Sequence, residues 1–266
     1  MQKKLKNRRN RPDKGWVTVK AYTLEQRRDL FQGIEKVHEG SFPNYLIEGD
    51  RHNADYWNRV LEEHPALQFV LCDEREEVLA SGHSLPLYWD GTVEGLPSGY
   101  DGALVRGFEA PRHSPNTLCA LAVIVARTHR GKGISSRAVS VMKALAKARG
   151  YAHLIAPVRP NRKSLYPLTP MERYIRWRRE DGAPFDPWLR VHWKLGAQIL
   201  KVASNSMEVR GSVAQWEKWT GMRFPESGEY VVPGALTPVA MDLEKDEGVY
   251  RDPNVWMAYR LDSDEN

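Results

Sequence analysis

Leu118-Cys-Ala-Leu-Ala-Val-Ile-Val-Ala-Arg-Thr-His-Arg-Gly-Lys-Gly-Ile-Ser135 is the stretch on which the reading of this chain turns. Its first half is apolar and rich in β-branched residues, long enough for a strand central in a sheet. Its second half is a basic turn with two glycines, Gly131 and Gly133. From Ser135 to Arg149 the residues Ala138, Val141, Met142 and Leu145 recur at helical spacing, and Gly150 is a C-terminal stop. Strand, cationic glycine turn and helix in succession place several backbone N–H groups around an anion at a helix N-terminus. His153 to Val158 reads as the next strand, so this strand–helix–strand unit predicts a parallel crossover.

Around this centre the periodicity predicts further elements. A half-buried strand covers Val17 to Ala21, and a helix capped by Thr23 runs to about Val37, with Leu30, Phe31 and Ile34 on one face. Asn53 to Glu63 reads as a helix, and Leu67 to Cys72 and Val78 to Tyr88 as strands joined by a charged turn. A short helix is expected around Asp101 to Phe108. Thr169-Pro170-Met171-Glu172 has the pattern of a capping box and predicts a charged helix to about Glu180. Asp186-Pro187 starts another helix, which Gly196 ends. A strand within Ala197 to Val209, a short helix over Ser212 to Trp219 and closing strands through Val255 to Leu261 complete the pattern. The chain is read as a basic, flexible tail over 1–15 and a single domain over 16–266. Insertions are expected at about 91–116 and 167–185, and an extension from about 211.

Arg130-Gly131-Lys132-Gly133-Ile134-Ser135 is not a nucleoside-triphosphate loop, because Lys132 precedes Gly133 instead of following it, and not a dinucleotide fingerprint, because the third glycine is missing. The strand Leu121 to Val125, then Arg130-x-x-Gly133-x-Ser135, then a helix, resembles the acetyl-CoA motif of the GNAT (GCN5-related) N-acetyltransferases, Gln/Arg-x-x-Gly-x-Gly/Ala. Arg130 and Gly133 match, and Ser135 departs from it. The order of elements over roughly residues 16 to 210 is also similar to that family.

The resemblance implies an α/β fold with a mixed, mostly antiparallel central sheet, splayed at the cofactor site, and helices on both faces. It implies transfer of an acetyl or other short acyl group from acyl-CoA to an amine, by direct attack through a tetrahedral intermediate, with no metal. Backbone groups of Val123 and Val125 would pair with the pantetheine arm. N–H groups from Arg130, Gly131, Lys132, Gly133, Ile134 and Ser135 would hold the pyrophosphate. Asn161 matches a cofactor-touching position, with Ser164 beside it. His192 stands where the family often has a tyrosine that protonates the departing sulfur, four residues before the helix-ending Gly196. An imidazole can do this chemistry near neutral pH. Tyr166 competes with wrong spacing. Glu39, Tyr45 and His83 are candidates on the acceptor side, and Glu39, His83, Asp101 and Glu109 are candidates for a base. The alternative reading is a non-catalytic acyl-CoA sensor.

Composition sets the remaining bounds. A chain of 266 residues, 41% hydrophobic, can bury a sizeable core. The net charge of +5 suits an anionic ligand and does not by itself call for nucleic acid. Residues Met1 to Lys14 hold seven of the basic groups and read as a solvated tail. The two cysteines, Cys72 and Cys119, lie in predicted strands and fit a reducing, cytoplasmic setting. No apolar run is long enough to span a membrane. The nine tryptophans read chiefly as packing for the added segments. Nothing in the pattern argues against a homodimer.

Overall fold

The computed structural model describes residues 19–109 and 113–261. The basic tail and the first residues of the strand expected from Val17 lie outside them. In chain order the strands are β1 (Lys20–Thr23), β2 (Phe69–Cys72), β3 (Val78–Leu87), β4 (Thr117–Val125), β5 (His153–Val158), β6 (Gln198–Gly211), β7 (Gly228–Tyr230), β8 (Val239–Asp242) and β9 (Glu247–Arg260). The helices are α1 (Ile34–His38), α2 (Asn44–Glu48), α3 (Arg51–Glu63), α4 (Tyr100–Glu109), α5 (Ile134–Ala148), α6 (Met171–Tyr174), α7 (Pro187–Lys194) and α8 (Val213–Thr220).

Among the described residues the strands form one sheet in the order β1-β2-β3-β4-β5-β9-β8-β7, with β6 on the other edge of β9. Every pairing is antiparallel except β4 with β5. That parallel pair is the crossover expected from the sequence, with α5 as its connection. On one face α5 and α7 bury Ala138, Met142 and Leu189 against Leu118, Leu154 and Met257. On the other, α3 and α4 bury Val60, Ala103 and Leu104 against Leu85, Cys119, Ile155 and Trp256. A third cluster packs α2 and α8 on the far end of the sheet through Tyr45, Trp216 and Tyr250.

Two strands diverge at the centre. The β4–β5 register is Thr117↔His153, Leu118↔Leu154 and Cys119↔Ile155, and it stops there. Each strand keeps its other neighbour. β4 stays paired with β3 as far as Val125, and β5 with β9 as far as Val158. The cause is a bulge. His83 faces Ala122 and Ser84 faces Ala120, which leaves Leu121 as an extra residue that bends β4 away. The bulge also reverses the alternation. Cys119 and Leu121 belong to the α3/α4 side, whereas Val123 and Val125 pack toward α5.

Three expectations are corrected. Thr23 pairs with Phe69 in β1 and exchanges hydrogen bonds with Gln26, so it caps only the single turn that follows, and helical backbone begins at Arg28. The helix expected over 169–180 is a single turn, α6, whose cap residue Pro170 has no side chain to donate or accept. The chain then doubles back, with Phe185 N–H donating to the Trp177 carbonyl, because Tyr166, Tyr174, Trp177 and Phe185 pack as one aromatic group. Tertiary burial outweighs helix propensity here. Finally, the segment after residue 211 is no appendage. It supplies β9, which lies between β5 and β6, so α8, β7 and β8 are an excursion within a β6–β9 hairpin.

Gly82 faces Phe69 across the β2–β3 pair, and a Cβ there would lie 2.2 Å from the Phe69 ring. Gly82→Ala should destabilise the protein by about 1–3 kcal/mol in urea unfolding, and Phe69→Leu in the same chain should recover part of that loss.

Candidate active site

The β4–β5 opening forms a cavity of about 410 Å³ that passes between the two faces of the sheet. Its walls are Ala120 to Ile124 of β4, Ala156 to Val158 of β5 and, after β5, Arg159 and Asn161. Trp188 and His192 of α7 close it on the α5/α7 face. Trp57, Asn53 and Tyr100 close it on the α3/α4 face, with Phe42 just before α2 and Leu46 and Ile47 within it. Beyond the last β4–β5 pair, the facing edges of Ala120 to Ile124 and Ala156 to Val158 share no ladder, so their backbone groups are open to a ligand that runs between them, while Val125 lies just past the lining.

The basic turn leads from β4 to α5. Gly131 and Gly133 both have positive φ, 77° and 83°, and Gly133 is the residue that precedes α5. A non-glycine residue in this left-handed conformation is strained, and two such glycines fold the chain into a concave run of N–H groups ahead of the helix. Nothing lies within 4 Å of a Cβ built on Gly131, so the approach is open. Ile134 is buried and anchors the turn, while Lys132 is exposed. Arg130 is tied back, its Nε donating to the Val125 carbonyl at 3.2 Å. Val123 lines the cavity, and Asn161 sits exposed at its rim. Ser164 lies in the turn that follows Asn161, partly buried and away from the lining.

Asp186 positions His192. Its carboxylate accepts from the Trp188 and Leu189 N–H groups and so caps α7, and it also accepts from the Tyr174 hydroxyl and the Arg162 N–H. One turn further on, His192 is 3% exposed, with the Trp188 ring 4.4 Å away. Its Nδ1 is 2.7 Å from the Tyr259 hydroxyl, and its Nε2 is buried without a partner. Desolvation lowers its pKa to about 3, so the ring is neutral near pH 7. Tyr166, the competing candidate, is spent in the aromatic group described above.

The acceptor-side candidates divide. His83 is buried with neither ring nitrogen bonded, against Trp57 and His38. It lines a second cavity, about 910 Å³, beside α1 and α3, with Glu39 exposed at its edge. His38, which the sequence reading missed, lines both cavities together with Ile47 and Trp57. Its Nε2 is 3.0 Å from Ser81 Oγ, and burial lowers its pKa to about 4. Tyr45 is not brought to the cavity. It is packed between Trp216 and Tyr250, its hydroxyl donating to the Pro233 carbonyl. Glu109 is held on the surface by Arg59 and Tyr56. Asp101 lies with Asp50 and His52 behind Tyr100.

Comparison with known proteins decides the family. Residues 31–168 match the acetyltransferase (GNAT) family. The chain belongs to it. An arginine N-acetyltransferase, avaD of Aspergillus versicolor, is 34% identical over 212 residues, 71% of this chain and 72% of that protein. The loading GNATL domain of CurA from Lyngbya majuscula superposes with a TM-score of 0.57 over 93% of this chain and 98% of its own, at 18% identity. The GNAT-like decarboxylase GphF, solved with isobutyryl-CoA, gives 0.57 over 92% and 99%, at 16% identity. These two likenesses speak for the fold. The chain is thus an acyl-CoA-dependent N-acyltransferase, with an acyl-CoA donor and an amine acceptor. Among the described residues no helix is long and apolar enough to cross a membrane.

The buried imidazoles carry a pH signature. His38, His83 and His192 have folded pKa values lowered to about 4, 3 and 3. Below pH ~6.5 the unfolded chain binds protons that the native chain refuses, so this part of the stability is full above pH ~6.5 and falls as the pH drops, by about 1.4 kcal/mol per pH unit for each ring. Asp101, pushed up to about 8 by burial, acts with the opposite sign over its own range. His83→Leu should therefore reduce the slope of unfolding free energy between pH 6 and 4 by about one proton, measured by urea titration at several pH values.

Proposed function

We propose that the acyl-CoA arm lies in the β4–β5 opening, that its pyrophosphate rests on the turn from Arg130 to Ser135, and that His192 serves the departing sulfur. The observation that carries this reading is the end of parallel pairing at Cys119 and Ile155, with the free Nε2 of His192 lining the gap. Backbone groups of Val123 and Val125 hold and orient the arm. N–H groups of Gly131, Lys132, Gly133, Ile134 and Ser135 hold the pyrophosphate, with Lys132 adding charge and Arg130 fixing the turn to β4. Asn161 steadies the arm at the rim, and Ser164, off the lining, only supports the turn behind it. Coenzyme A supplies the activated thioester.

The Tyr259 hydroxyl, whose pKa burial raises above that of a free tyrosine, stays protonated and donates to Nδ1 of His192. This fixes the tautomer with the proton on the unpartnered Nε2. The neutral ring then stabilises the thiolate as it leaves through a hydrogen bond from Nε2–H, and the thiolate takes its proton from solvent. On the other face, His38 is neutral and stands between the two cavities, placed to take the proton that the amine loses. Glu39 and His83 shape the approach of the acceptor. The acceptor is a small cationic amine of the arginine class, a reading supported by the 34% identity to an arginine N-acetyltransferase.

His192→Ala should lower kcat for thiol release by about 100-fold while the KM for acetyl-CoA stays nearly unchanged. An unchanged kcat would remove His192 from the chemistry. Gly133→Val should abolish thermal stabilisation by acetyl-CoA, because the left-handed backbone and the concave turn are lost together.

A further inference from the structure

Asp50, His52 and Asp101 bring three potential ligand atoms within 4.8 Å of one another. Asp50 is 1% exposed. Its Oδ1 accepts from the Asn53 N–H at 3.1 Å, while its Oδ2 is buried with no partner. Asp101 Oδ2 accepts from the Glu208 N–H at 3.0 Å and is 3.4 Å from His52 Nδ1, and its Oδ1 is also buried with no partner. Two desolvated carboxyl groups, each with an orphan oxygen, are costly unless a cation completes them. Burial raises the pKa of both, and the charge of Asp50 raises that of Asp101 further. Asp252, whose charge also acts on both, already has its own cation in Arg159 at 2.8 Å.

The place of the pair bears on its use. Asn53 and Tyr100, hydrogen-bonded to each other at 3.0 Å, line the reaction cavity on the α3/α4 face. Asp50 caps the helix that carries Asn53, and Asp101 follows Tyr100 in the chain. The two carboxyl groups thus sit behind the residues of one wall of the cavity without lining it, and a ligand reaches them by parting the Tyr100–Asn53 hydrogen bond.

We propose that Asp50 and Asp101 form the subsite for the cationic end of the acceptor, a guanidinium or ammonium group that enters beside the Tyr100–Asn53 pair. The inference rests on the cavity being the acyl-transfer site. A guanidinium suits the chemistry, since its planar array of N–H donors can serve two carboxyl groups brought this close together. It replaces desolvation cost with charge-assisted hydrogen bonds, and so the pair selects the acceptor.

The test is calorimetric binding to the full chain in the presence of coenzyme A. L-Arginine and L-citrulline are compared, the second being a neutral analogue of nearly equal shape. Arginine should bind and citrulline should bind at least about 30-fold more weakly. Asp101→Asn should remove most of that preference, with acetyl-CoA affinity unchanged. Asp50→Asn, which keeps a capping oxygen, should do the same. Equal binding of the two ligands, a preference that survives both substitutions, or no arginine binding would overturn the proposal. So would zinc or magnesium binding that the same substitutions abolish, which would make the cluster a metal site. Loss of acetyl-CoA binding to the wild type would instead count against the reading of the cavity itself.

Discussion

β4 and β5 are partners for three residue pairs and then part, and the rest of the site depends on that separation. A strand that leaves its neighbour exposes N–H and C=O groups that must find other partners. Here the loss is confined to one edge of each strand. β3 holds β4 and β9 holds β5 to their ends, so the gap is rigid and does not collapse. The extra residue Leu121 sets where the parting occurs. It also directs Val123 and Val125 toward α5, so the backbone that faces the gap runs straight into the glycine turn.

The electrostatics follow from the same opening. A hole through a sheet has low-dielectric walls, and the groups along them are polarised by burial. His192 and His38 on those walls, and His83 on the neighbouring cavity, are all kept neutral. Asp50 and Asp101 are pushed toward their protonated forms. An ion pair at the gap, Arg159 with Asp252, joins the residue after β5 to β9 beyond the end of their ladder. A deeply buried lysine does a related job, since Lys163 Nζ donates to the carbonyls of Tyr166, Pro167 and Leu236 and ties the loop after β5 to the excursion between β6 and β9.

Much of this was legible in the sequence, and for physical reasons. The apolar run from Leu118 fills a strand buried on both faces, and Gly131 and Gly133 sit where left-handed backbone is needed. The spacing from His192 to Gly196 marks the end of a helix on the sheet. Other features rest on contacts remote in sequence and leave no local trace. The bulge at Leu121 breaks no pattern in an all-apolar strand. His38 and the Asp50–Asp101 pair gain meaning only when α1, α3, α4 and β6 meet. Tyr45 was misplaced because an aromatic residue in a loop looks like a site until Trp216 and Tyr250 are found around it. The central place of β9 was hidden because position in the chain does not disclose position in the sheet.

The central claim is that the donor lies in the β4–β5 opening and ends on the glycine turn. Hydrogen–deuterium exchange with and without acetyl-CoA tests it most directly. The account predicts protection by acetyl-CoA at the amides of residues 120–125 and 131–135, with little change in β1, β2 and β7. Protection confined to the cavity beside α1 and α3, with none in β4 or the turn, would contradict it.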